Sequence, residues 1–190
     1  MYLVFDIETK NTFAEVGTNS ARDLETSYVG YYRSDEKQYT GVWENEVTSK
    51  FLPLLHEAEF VIGYNIIGFD LPALSRYGDV TLHPKKIVDL YRILHIQTKI
   101  STKLDNWTTT TFNKSKIGHG LDAVRYFRNG QFEELAKYCN MDVEVTHDLY
   151  NYMLQNKSAK YTNGIGEIIE VKVEIPNHEV IPETSQSSMF

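Results

Sequence analysis

Apolar side chains fill both alternating sets of positions over residues 2–7, interrupted only when two carboxylates, Asp6 and Glu8, arrive at the end of the run. A strand covered on both faces reads this way. Residues 27–33 and 38–43 are rich in β-branched and aromatic side chains on either side of the charged turn Ser34-Asp35-Glu36-Lys37, which predicts an antiparallel continuation of the first strand. The spacing of Val47, Phe51, Leu54 and Leu55 predicts a helix over 45–57, and residues 60–64 a fourth apolar strand. A further helix is expected from Asp70-Leu71-Pro72, where Asp can cap and Pro fits the first turn, to Tyr77 before Gly78. Residues 87–96 read as a strand end running into a helix. Helical periodicity returns over 121–127 and 132–154, and residues 168–175 alternate like a last strand. The order of elements predicts an α/β fold, a mixed central sheet flanked by helices.

Two stretches break the pattern. Residues 100–120 contain four consecutive threonines, Thr108 to Thr111, and the segment Lys114-Ser115-Lys116-Ile117-Gly118-His119-Gly120; they are expected to form a mobile, loop-like region. The tail 176–190, with its Asn, His, Pro, Ser and Gln, is expected to be disordered, which leaves 1–175 as a single domain. A hydrophobic fraction of 42% in 190 residues suits such a domain. No apolar run approaches the roughly 20 residues that span a bilayer, so no membrane association is expected. Cys139 is the only cysteine, which excludes an intrachain disulfide or a multi-cysteine zinc site, leaves Cys139 a packing role, and fits a cytoplasmic protein. No phosphate-binding loop of the G-x-x-x-x-G-K-[ST] kind is present, so ATP-driven work by this chain alone is not expected.

The formal charge of −7 argues against a protein that coats nucleic acid nonspecifically. The charge is uneven, however. Residues 76–137 carry 11 Lys or Arg against 6 Asp or Glu, a net +5, and the remainder therefore carries −12. A basic middle could face a phosphate backbone while acids elsewhere build a cation site; uniform solvation of the same charges is the alternative.

Three short stretches carry candidate chemistry. In Phe5-Asp6-Ile7-Glu8-Thr9 the carboxylates are two apart, so the period of a strand puts them on one face, where they can share a cation. Alone, the triplet would equally be a polar strand end. In Asn65-Ile66-Ile67-Gly68-Phe69-Asp70 a strand passes into a helix, a junction where α/β sheets place ligands, although Asn65 could simply turn the chain and Asp70 cap the helix. In Tyr138-Cys139-Asn140-Met141-Asp142 the phenol and the carboxylate share one side of a helix. Asp142 falls within the apolar stripe of Leu135, Tyr138, Cys139, Val145, Leu149, Tyr152 and Met153, so it is aimed inward and needs a compensating partner. Carboxylates from three distant parts of one chain select hard cations such as Mg²⁺ or Mn²⁺. Two such ions roughly 3.5–4 Å apart could activate a water and stabilise a leaving 3′ oxygen.

The motifs FDIET, N-x-x-x-F-D and Y-x-x-x-D, in this order, closely resemble the three exonuclease motifs of the DEDD superfamily, whose fold is ribonuclease H-like. The resemblance covers about residues 1–152. It implies that Asp6, Glu8, Asp70 and Asp142 are the metal ligands and catalytic acids. It also separates two subgroups: a His five positions before the last Asp marks one, and Lys137 stands there, whereas Tyr138 is where the tyrosine subgroup has its tyrosine. Tyr138 is then expected to orient the attacking water. Thr9, Asn65 and Phe69, as motif neighbours, together with Lys114 and Lys116, are the expected substrate contacts. The implied activity is metal-dependent 3′→5′ exonuclease action on single-stranded or frayed ends, DNA before RNA, releasing nucleoside 5′-monophosphates with two Mg²⁺ or Mn²⁺ ions. Gly120-Leu121-Asp122-Ala123-Val124-Arg125 is more similar to small bacterial or phage-type exonuclease domains, including helicase-associated ones, than to polymerase proofreading domains.

With no fused polymerase or helicase in the chain, a helicase, polymerase or other targeting protein is an expected partner. Trp107, Lys114, Lys116 and His119 could stack on or clamp a strand end, or belong to an ordinary variable loop. Asp89, Glu144 and His147 are expected to support the ligands from behind or to face solvent. A recruitment module that kept the fold without turnover, and an endonuclease, are the rival functions.

Overall fold

The computed structural model describes residues 1–112 and 120–176. Its centre is a five-stranded sheet built from β1 (Tyr2–Thr9), β2 (Thr26–Arg33), β3 (Gln38–Trp43), β4 (Phe60–Gly63) and β5 (Ile87–Asp89), in the order β3-β2-β1-β4-β5. β2 is antiparallel to β1 and β3, while β4 and β5 run parallel to β1. The helices in chain order are α1 (Phe13–Val16), α2 (Leu52–Glu57), α3 (Asp70–Leu74), α4 (Leu90–Thr98), α5 (Leu104–Phe112), α6 (Gly120–Arg128) and α7 (Phe132–Asn156). A separate hairpin, β6 (Ser158–Thr162) and β7 (Ile168–Lys172), follows α7.

The apolar run of β1 divides between two cores, as its double-faced pattern requires. Leu3, Phe5 and Ile7 pack with Phe51, Leu55, Ile66, Leu71 and Leu74 on one side of the sheet. Val4 packs on the other with Leu90, Leu94, Trp107, Val143, Leu149 and Met153. The sheet is thus the middle layer of three, and the even-numbered side chains of β1 face α7. This is an α/β fold with a mixed central sheet flanked by helices, as the order of elements predicts.

Several elements depart from the periodicity. The helix expected over 45–57 is a 3₁₀ turn, a π turn at Val47–Phe51 and then α2. Pro53 cannot donate to residue 49, and Leu52 N–H reaches back to Val47 O instead. α3 ends at Leu74 rather than Tyr77, and its cap position is Phe69, so Asp70 is a first-turn residue rather than the cap.

The loop expected over 100–120 is in part helical, as α5. Thr108 Oγ1 donates to Leu104 O at 3.2 Å, and Thr110 bonds both Asn106 Oδ1 at 3.3 Å and Thr162 Oγ1 at 2.9 Å. Asn106 pairs with the backbone of Thr162 through both its oxygen and its nitrogen, at 2.8 and 2.9 Å. Threonine hydroxyls that would compete with a solitary helix here join it to β6, and tertiary bonding outweighs low propensity. Trp107 is fully buried, so it offers no face on which a base could stack. β6 has no strong strand pattern of its own and exists through pairing with β7 and α5; the strand expected over 168–175 ends at Lys172. Lys114, Lys116 and His119, and the tail from 177, lie outside the described residues. Among the described residues no helix is long and apolar enough to cross a membrane.

Candidate active-site cleft

Asp6 and Glu8 emerge on the α7 side of β1, beside an irregularity in register between Glu8 and Thr9. Across the sheet Asp6 is opposite Gly30, and Gly30 is opposite Gly41. A Cβ on Gly30 would stand 2.8 Å from Asn140 Oδ1 and 2.9 Å from Cys139 Sγ. Only a bare backbone lets α7 approach the sheet this closely. Cys139, expected only to pack, does pack, and its thiol also donates to Asp6 O at 3.4 Å. Tyr138 and Asp142, one helical turn apart, are carried down on either side of this contact, both nearly buried. From the other direction the junction after β4 delivers Asp70, 2% exposed, whose Oδ1 accepts from Ile7 N at 3.1 Å.

These residues share one cleft of about 940 Å³. Its lining includes Asp6, Glu8, Asp70, Asp142 and Tyr138, with Thr9, Asn65 and Phe69 beside them. Of the ten residues singled out from sequence, Lys114 and Lys116 alone cannot be placed there, because they lie outside the described residues.

The electrostatics of the cleft follow from burial. Asp70 is pushed well above the usual carboxylate range, first by desolvation and then by the charge of Asp6. The Tyr138 phenol is raised by burial, and further by Asp142, Glu8 and Asp6, so it keeps its proton and can serve as a hydrogen-bond donor but not as a base. Burial and then Asp6 and Glu8 likewise push up the Cys139 thiol, which excludes it as a nucleophile at neutral pH. Asp6, Glu8 and Cys139 each offer a donor atom within 4.8 Å of the others. Four converging carboxylates, three of them nearly buried, are costly unless protons or a cation compensate them, and a predominantly oxygen donor set fits a hard divalent ion.

Some features of the cleft were not read from the sequence. Phe13, 37% exposed, meets Phe69 edge-on with ring centroids 6.0 Å apart, and Lys103 and Tyr91 also line the cleft. The position of Phe13, four residues past Thr9, was the available signal. The basic middle is partly neutralised locally: Arg128 pairs with Glu15 at 2.5 Å, Arg125 with Asp122 at 3.1 Å and Arg76 with Glu25 at 3.5 Å. His147 lies away from the cleft, between the hydroxyls of Tyr2 and Tyr39 at 3.0 and 2.8 Å. Asp89 is buried beneath the turn that carries Asn65.

A sheet of this order with a carboxylate cleft at the end of its central strand defines a protein of the ribonuclease H-like class, whose chemistry is in general nucleolytic and divalent-metal-dependent. The RNase_H_2 family model, of the RNase_H superfamily, matches residues 3–154, and the chain belongs to that superfamily. No curated protein matches the sequence.

Proposed function

We propose that this chain is a metal-dependent 3′→5′ exonuclease of the tyrosine subgroup, acting on single-stranded or frayed nucleic acid and releasing nucleoside 5′-monophosphates. The observation that carries the reading is the convergence of three motifs in one cleft, with Tyr138 one turn before Asp142. Asp6, Glu8, Asp70 and Asp142 would hold two divalent cations, Mg²⁺ or Mn²⁺. Bound there, such ions lower the pKa of a water and offset charge on the scissile phosphate and leaving oxygen. Tyr138, held protonated, donates a hydrogen bond that orients the attacking water. Phe69, with Phe13 against its edge, provides an aromatic wall for the terminal base, and Asn65 and Thr9 supply polar contacts beside it. Lys114 and Lys116 add charge for the backbone of the incoming strand. A targeting partner such as a helicase or polymerase would compensate for the chain's net negative charge, and a lone protonated thiol suits a reducing cytoplasm.

The test is digestion of matched 3′-labelled single-stranded DNA and RNA with Mg²⁺ or Mn²⁺, alongside a circular single strand. Stepwise release of mononucleotides from the linear substrates, with the circle intact, is expected. Cutting of the circle would make the protein an endonuclease, and retention of intact substrate would favour a recruitment module.

A further inference from the structure

Asp89 closes β5 and is only 3% exposed, yet it does not line the acid cleft; it borders a separate groove with Ile67, Ile87, Arg92 and Ile93. Its carboxylate accepts three backbone N–H groups. Arg92 N donates to Oδ1 at 3.2 Å, which is an ordinary N-cap for α4. The other two bonds are long-range: Asn65 N donates to Oδ1 at 2.9 Å and Ile67 N to Oδ2 at 3.0 Å. Capping alone would need one short side-chain oxygen. A buried carboxylate with both oxygens engaged does more, because it ties the start of α4 to the turn that follows β4.

That turn needs a tie. Asn65 has a φ of 66°, in the left-handed region that, among non-glycine residues, Asn and Asp occupy most readily and only as single turn residues. Gly68 N and Phe69 N both donate back to Asn65 O at 3.0 Å, and the Asn65 amide lies where a Cβ on Gly68 would meet it at 2.5 Å. The chain then enters α3 at Asp70, which Ile7 N holds from the β1 side. Asp89 grips residues 65 and 67, so the path into Asp70 is fixed from both ends.

We propose that Asp89 is a positioning residue for the cation site: its carboxylate holds the left-handed turn at Asn65 and thereby keeps Asp70 in place against β1, without itself touching cation or substrate. The inference rests on the reading that Asp70 helps bind the cation. Mn²⁺ binding followed by electron paramagnetic resonance, in wild type, Asp70→Ala, Asp89→Asn and Asp89→Ser, tests both statements. Asp89→Asn keeps one acceptor but sets an NH₂ group against a backbone N–H, whereas Asp89→Ser keeps the reach for Arg92 and loses the turn. Both Asp89 variants are expected to weaken Mn²⁺ binding by about 10–100-fold, as loss of a group supporting a ligand does. In Asp89→Ser, amide hydrogen exchange should quicken at Asn65 and Ile67 and stay slow at Arg92. A folded Asp89→Ser with wild-type Mn²⁺ affinity would overturn the proposal. So would failure of both Asp89 variants to fold, since Asp89 would then serve the whole fold and not the site. If Asp70→Ala binds Mn²⁺ as well as wild type, the cation-site reading itself fails, and the role of Asp89 falls with it.

Discussion

Replacing Gly30 with Ala adds one methyl group at the point where β2 passes under α7. The new Cβ would lie 2.8 Å from Asn140 Oδ1, 2.9 Å from Cys139 Sγ and 3.2 Å from Val143 Cγ2, against ordinary contacts that begin near 3.4 Å. All three neighbours belong to α7, and Cys139 is fully buried and bonded to Asp6 O. The partly buried Asn140 amide can turn aside, but Cys139 and Val143 are fully buried and cannot, so the helix must retreat by about half an ångström, taking Tyr138 and Asp142 with it. Overpacking of this kind costs about 1–3 kcal/mol. At about 2–4 °C per kcal/mol for a chain of this size, Tm should fall by roughly 2–12 °C. A misplacement of about 1 Å costs a catalytic constellation about 100-fold, so half of that predicts a loss in kcat of roughly tenfold. Thermal melting with and without Mn²⁺ and single-turnover digestion of a 3′-labelled strand measure the two effects. Gly164→Ala, where an added Cβ meets nothing within 4 Å, is the control and should match wild type in both. If Gly30→Ala melts and cleaves like wild type, close approach of α7 to the sheet does not set the geometry of the cleft.

Asp142→Ala should abolish hydrolysis while the metal-free Tm holds or rises, because a ligand and a like charge leave together; wild-type turnover would remove Asp142 from the acting set. Tyr138→Phe keeps a ring that is 5% exposed and loses only the hydroxyl, so kcat should fall by about 100-fold with Tm unchanged. An early melt with normal kcat would mean that the hydroxyl is structural. Asp70→Asn tests the buried acid in EDTA. Burial, and then Asp6, raise the folded-state pKa of Asp70, so its contribution to stability is full below the ordinary value of 3.8 and is lost as pH rises through the folded value. The variant should therefore melt above wild type at neutral pH, with the gain vanishing in acid; a gain that does not depend on pH would contradict the buried charge.

The sequence alone determined whatever depends on spacing within one element. A period of two put Asp6 and Glu8 on one face of β1, and one helical turn put Tyr138 beside Asp142 in an inward stripe. The three motifs, through their joint resemblance, also indicated a ribonuclease H-like fold, which the family match over residues 3–154 bears out. Only the tertiary structure decided how those faces meet. The row Asp6, Gly30 and Gly41 aligns through strand register; Gly30 admits α7 because that register brings it beneath the helix, while Gly41 leaves room for the Tyr28 ring. For Asp89 the sequence left two roles open, support behind the ligands or exposure to solvent, and only the fold decides between them, since its distinguishing bonds reach 22 and 24 residues back. The threonines of α5 favour a loop until β6, about 50 residues later, takes up their hydroxyls. In each of these places the deciding free energy lies in partners distant along the chain, and local propensity records none of it.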